Sequence, residues 1–167
     1  LSIQAKLCFD YEFGFLKSAK LSKYNNIISI GCGNGTYLSL VSENFNKKCI
    51  GIDISEEMIA DASKSVSKNT YLVGSAEKLV SLDAEVIILR LIVHQLQDRK
   101  EFIDTIAKYT KPGTKIIIIE PYDNNYYIDP KIKVFDEHLN KHRKELSHNT
   151  AKRNLYDTID DEMIKHF

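Results

Sequence analysis

At 167 residues, with 23 lysines and arginines balanced by 23 aspartates and glutamates, the chain is long enough for one domain with a sizeable core. A net charge of zero announces no basic face for nucleic acid or anionic lipid, and no apolar run reaches the length of a membrane span. Three cysteines, Cys8, Cys32 and Cys49, are odd in number and lack metal-ligand spacing, so the expectation is buried reduced thiols in a cytoplasmic protein, with no metal.

Residues 1–24 place Ile3, Leu7 and Tyr11, and also Phe9, Phe13 and Leu16, at three- and four-residue spacings. That periodicity predicts a helix packing on whatever follows, with 20–26 as a polar connection. The stretch 27–41, IISIGCGNGTYLSLV, is the organising element. Its β-branched run enters three alternate glycines, Gly31, Gly33 and Gly35, and an amphipathic segment opens behind them. The order predicts strand, tight turn and helix, the first unit of an open parallel sheet. Glycines there let the chain turn sharply and let a ligand approach main chain where a Cβ would collide. The helix start adds unpaired N–H groups and partial positive charge, so a polar or anionic ligand is expected. A dinucleotide fingerprint would need a small residue at position 36, where Thr36 stands. Nicotinamide dinucleotide binding therefore has the wrong glycine spacing.

The next strand, KCIGID, ends on Asp53, placed to accept hydrogen bonds from two adjacent ribose hydroxyls. Ser55 then reads as an N-cap with Glu56 and Glu57 in the first turn, and Met58, Ile59, Ala62 and Val66 form an apolar stripe. Thr70 to Val73 is a third short strand, and Asp83 to Leu96 contains a fourth, apolar on both faces as a central parallel strand should be. Arg90 falls at its carboxyl end, where ligands bind in open α/β sheets. Asp98 to Glu101 forms a capping box ahead of Phe102, Ile103, Ile106, Ala107 and Tyr109, and Pro112-Gly113 stops that helix. Lys115 to Glu120 is a fifth strand. A polar loop carrying Tyr126 and Tyr127 follows, then a helix from Pro130 with Ile132, Phe135, Leu139, His142 and Leu146, and a last helical segment with Leu155, Ile159, Met163 and Phe167.

In order, GCGNG after a strand, Asp53 at the next strand's end, Gly74-Ser75-Ala76-Glu77, Val93-His94-Gln95-Leu96, Lys111-Pro112-Gly113 and Glu120-Pro121 resemble the class I S-adenosylmethionine-dependent methyltransferases. The resemblance covers 27–121. It implies an α/β, Rossmann-like, mainly parallel open sheet flanked by helices, in strand order 3-2-1-4-5. It also implies one domain over 1–167: an N-terminal helix (1–26), a nucleotide-binding core (27–121) and a helical, lid-like segment (122–167). The family normally adds two further strands. None is found here, so the expectation is a chain cut short of a complete catalytic domain, with an exposed strand-five edge open to a homodimer.

The resemblance implies S-adenosyl-L-methionine as cofactor, held by Gly31, Cys32, Gly33 and Gly35, by Asp53 with Ile54, and by Met58 against the adenine, although a plain core methionine fits Met58 as well. Ser75, or a backbone carbonyl near it, would accept from the adenine amine, with Ala76 and Glu77 following. Arg90 would meet the cofactor carboxylate or an acidic substrate, or else pair with a buried acid. Tyr11 or a neighbour, His94, Tyr126 and Tyr127 are candidates for the substrate pocket. His94 is a general base or, as is commoner in the family, a pocket-lining residue. Ser29 stands where the family carries an acid. A neutral acceptor there weakens cofactor binding by about 1 kcal/mol.

Two functions follow. One is a methyltransferase moving a sulfonium methyl to O, N, S or C of a small-molecule acceptor, with alignment rather than any obligatory side chain as the main requirement. The other is a binding or regulatory module that keeps the fold without turnover, a reading that Ser29, Arg90 and the missing strands favour.

Overall fold

A computed structural model describes residues 1–65, 67–76, 83–96 and 98–120, and in the C-terminal part 132–134, 136–138 and 140–141. Helix α1 spans Ser2–Ser18 and leads through a 3-10 turn, Leu21–Lys23, into strand β1, Ile27–Ile30. Helix α2 (Thr36–Phe45), β2 (Cys49–Asp53), α3 (Glu56–Ser63) and β3 (Thr70–Val73) follow. After them come β4 (Val86–Arg90), a 3-10 turn at Val93–Gln95, α4 (Arg99–Tyr109) and β5 (Lys115–Ile119). The five strands form one sheet, all neighbours parallel, in the order β3-β2-β1-β4-β5. The expected architecture and strand order hold.

Two compact units are distinguished: Leu1–Arg90 with Thr105–Ile119, and Leu91–Asp104 with Glu120–Phe167. The first contains the whole sheet. Its centre is β1, buried at every position and paired through Ile27 to Cys49 on one side and Val86 on the other. Parallel strands covered on both faces need apolar side chains on both, which is why IISI and VIILR do not alternate in polarity. One core cluster gathers Phe9, Leu16, Leu21, Ile27, Leu38, Cys49, Val86 and Ile117.

Helix α1 divides its two apolar stripes unequally. Ala5, Phe9 and Leu16 are buried, whereas Ile3, Leu7 and Tyr11, expected to pack inward, are exposed. Phe9 meets Tyr37 edge-on at 5.8 Å and Phe13 meets Phe45 at 5.2 Å, so aromatic complementarity with α2 selects the inward face. Residues 20–26 are less polar in role than the composition predicts, since Leu21 is fully buried. Strand β4 stops at Arg90 because Leu91 turns to a positive φ of 56°. Among the described residues no helix is long and apolar enough to cross a membrane.

Candidate cofactor site

The turn between β1 and α2 is built on glycine conformations. Gly31, Gly33 and Gly35 have φ of 68°, 54° and 72°, where a Cβ would be strained. The turn is tied to the neighbouring strand end. Gly31 and Cys32 donate their N–H groups to the Ile52 carbonyl at 2.8 and 3.1 Å, and Gly33 donates to Asp53 Oδ2 at 2.8 Å. Asp53 Oδ1 accepts from Ser55 N–H at 2.9 Å, and the Ser55 hydroxyl caps α3 through Met58 N–H. The carboxylate expected at the ribose thus also fastens the glycine turn. Its oxygens keep further lone pairs for a ligand hydroxyl.

Beneath the turn lies Tyr71, which sequence reasoning treated only as a strand residue. A Cβ on Gly35 would come within 2.7 Å of its ring, and one on Gly51 within 2.7 Å of the same ring and 2.8 Å of Cys32 Sγ. The Tyr71 hydroxyl donates to the Gly35 carbonyl at 3.3 Å and lies 3.2 Å from the Ser39 hydroxyl. The available signal was Gly51 itself, a glycine inside an apolar strand, which marks close approach of something bulky. Tyr71 is its register partner. Burial, then the Asp53 charge, pushes the Cys32 thiol up to about 12, so this cysteine is a packing residue in its neutral form.

The start of α1 also reaches the turn. Asn34 donates to the Ser2 hydroxyl at 2.9 Å, and Ser2 lies 3.0 Å from the Thr36 hydroxyl. Farther along α1, Glu12 receives Arg90: Nε at 2.9 Å and Nη2 at 2.9 Å reach the two carboxylate oxygens, with both side chains largely buried. The guanidinium also stacks on the Tyr37 ring at 4.5 Å. Of the roles open to Arg90, the buried-acid pairing is the one this geometry displays. Glu12 carried no sequence signal beyond being an acid on a helix. The Tyr37 hydroxyl is buried beside Glu12, and burial, then that carboxylate, drives its acidity down.

At the carboxyl ends of β2 and β3, Ile54 and Val73 are exposed apolar side chains, 78% and 42% accessible. Met58 is half-buried, Ser75 exposed and Ala76 buried. Tyr11 is 87% exposed on α1. Ser29 is buried within β1. Glu77, Tyr126 and Tyr127 lie outside the described residues.

In the second unit, Glu120 is an acid the sequence marked as the end of an apolar strand and, with Pro121, as part of the family resemblance. Its Oε1 accepts Ile92 and Val93 N–H groups at 2.9 and 2.7 Å, and its Oε2 is hydrogen-bonded to His94 Nδ1. The pair fixes the 3-10 turn at Val93–Gln95 and the orientation of the imidazole. Asp98 caps α4 by accepting Glu101 N–H at 2.8 Å, as the capping-box pattern predicts.

Comparison with known proteins agrees with this architecture. A family model described as "Methyltransferase domain" matches residues 28–118. The chain is 27% identical over 135 residues to the uncharacterized methyltransferase YcgJ of Bacillus subtilis, covering 77% of this chain and 52% of that protein. It is 26% identical over 132 residues to a protein-lysine N-methyltransferase of Saccharolobus islandicus, covering 75% of this chain and 80% of that protein. Among solved structures, the plantazolicin methyltransferase BpumL in complex with a monoazolic desmethylPZN analog and SAH superposes with a TM-score of 0.53 at 25% identity, over 60% of this chain and 40% of that one. The chain therefore spans about half the length of some of the relatives it matches. With the glycine turn and the Asp53 strand end inside the matched segment, which runs from the first strand of the 3-2-1-4-5 parallel sheet into its fifth, the chain belongs to the methyltransferase domain family.

Proposed function

We propose that this chain is the cofactor-binding part of an S-adenosylmethionine-dependent methyltransferase acting on a small-molecule acceptor in the cytoplasm. The observation that carries the reading is the Asp53 carboxylate, fastened to Gly33 N–H at the glycine turn and still able to accept ribose hydroxyl bonds. Gly31, Cys32, Gly33 and Gly35 make the tight turn against which the ligand would lie, held by bonds to the Ile52 carbonyl and Asp53. Ile54, Val73 and Met58 offer apolar surface to an adenine, and exposed Ser75 beside Ala76 offers an acceptor to its amine.

When bound, the cofactor supplies an already electrophilic methyl carbon, so the protein's work is alignment and exclusion of water. The ties from Ser2 and Asp53 to the turn hold the binding groups in place before the ligand arrives, which lowers the ordering cost of binding. His94, its ring oriented through Nδ1 by Glu120, is the residue to test for proton removal where the acceptor must lose one. The zero net charge supports a small acceptor over nucleic acid. Calorimetry with S-adenosylmethionine, S-adenosylhomocysteine and NAD in parallel tests the reading. Both sulfur nucleosides are expected to bind and NAD is not; NAD binding alone would overturn it.

A further inference from the structure

Helix α1 carries two apolar stripes, and the fold uses one. Ile3, Leu7, Tyr11 and Phe15 recur at strict four-residue steps, and they are 77%, 70%, 87% and 52% exposed. At that spacing they share one face of the helix, the face turned away from buried Ala5, Phe9 and Leu16. A continuous apolar stripe over most of a helix is more than scattered surface leucines, and such patches mark interaction sites. A second, independent feature lies on the same face. Gly14 is in the helix interior, where glycine is unfavourable, yet a Cβ there would meet nothing within 4 Å. Among the described residues no packing requires it. A helix packed closely on this face would use the space it leaves.

We propose that this face docks onto the same face of a second copy of the chain, the two α1 helices lying antiparallel about a two-fold axis. In that arrangement the face is complementary to itself in both its apolar stripe and its charged flank. Centred between Cys8 and Asp10, the pairing sets Leu7 opposite Tyr11 of the partner copy and Ile3 opposite Phe15, and each contact occurs twice. Ile3 then lies over the partner copy's Gly14, whose missing side chain makes room for it. The flank of the face carries Lys6 and Asp10, both exposed. Two-fold symmetry brings each flank against its own copy, so Lys6 meets Asp10 reciprocally. A parallel pairing would put the two copies of this flank on opposite sides of the seam, where Lys6 and Asp10 could not pair with each other across it. This contact differs from pairing at the β5 edge and is independent of the proposed function.

Sedimentation equilibrium on the 167-residue chain tests the proposal. The unmodified chain is expected to be a dimer at micromolar concentration. Leu7→Glu is expected to sediment as a monomer with unchanged circular dichroism. Gly14→Leu is the sharper variant. It adds a better helix former in open space, so the melting temperature of the monomer should not fall, while the dimer is lost. Asp10→Lys should weaken the dimer several-fold, and the swap Lys6→Asp with Asp10→Lys should restore it. A chain that stays monomeric at sub-millimolar concentration overturns the proposal. So does a dimer indifferent to Leu7→Glu and Gly14→Leu, which would place the contact elsewhere.

Discussion

Asp53 closes β2 and Glu120 follows β5, and each carboxylate accepts two backbone N–H groups from a turn beside it. The two acids use the same device, since a charged acceptor satisfies donors that a tight turn leaves unpaired. Their surroundings separate them. The Glu120 side chain is 3% exposed and takes His94 on its second oxygen, so its capacity is spent inside the protein. Asp53 is only half-buried, and its two protein bonds fall on different oxygens. What separates the acid proposed to meet the ribose from the structural one is burial of the remaining lone pairs, not residue type or position at a strand end.

Removing each acid sharpens that contrast. Asp53→Ala is expected to weaken S-adenosylmethionine binding by about 3 kcal/mol, from the loss of charge-assisted ribose bonds. Because the same carboxylate holds Gly33 N–H, a loss of about 1 kcal/mol in stability should accompany it. Calorimetry paired with urea melts measures both. Glu120→Ala should show the reverse balance. It strands two N–H groups and the His94 ring at a buried position, costing about 2–3 kcal/mol of folding stability. Cofactor affinity should change less than with Asp53→Ala. Equal effects of the two variants on affinity would erase the distinction.

Smaller effects probe the support beneath the turn. Gly35→Ala forces a side chain to φ 72° and into the Tyr71 ring, and should cost about 2 kcal/mol in stability or binding together. Tyr71→Phe keeps the ring but loses the hydroxyl's bonds, for about 1 kcal/mol in urea melts. If Tyr71→Phe is silent while Gly35→Ala is not, the ring alone shapes the turn.

The smallest neutral-pH effect belongs to the thiols. Burial, then Asp53, raises Cys32 to about 12, and burial raises Cys49 to about 12 against the opposing Lys47 charge, from an ordinary 9.0. Because the folded values lie above the unfolded ones, the stability from the neutral thiols is fully present below pH 9.0 and is lost as pH rises toward 12. At pH 10 each thiol should cost about 1 kcal/mol of stability relative to neutral pH. Cys49→Ala should flatten the alkaline fall in a series of melts; a slope unchanged from the parent would assign the loss to other groups.

Much of the fold was legible along the chain because its determinants are local. β-branched runs of strand length, glycines at turns needing positive φ, Ser55 and Asp98 as caps and Pro112-Gly113 as a stop each act within a few residues. The parallel sheet followed, since strands alternating with helices leave few ways to connect. The place of Asp53 at a strand end was legible for the same reason, as a lone acid closing an apolar run.

Tertiary structure decided whatever depended on a partner distant in sequence. Two apolar stripes on α1 were equivalent by periodicity, and only the aromatic surface of α2 chose Phe9 over Leu7. Arg90 was equally suited to a ligand or an acid until Glu12, 78 residues earlier, was brought against it. Tyr71 became the floor of the glycine turn only when parallel register set it beside Gly51. Spacing encodes which residues share a face, but which face is buried, and which charge meets which, is set by the packing free energy of elements that sequence alone does not bring together.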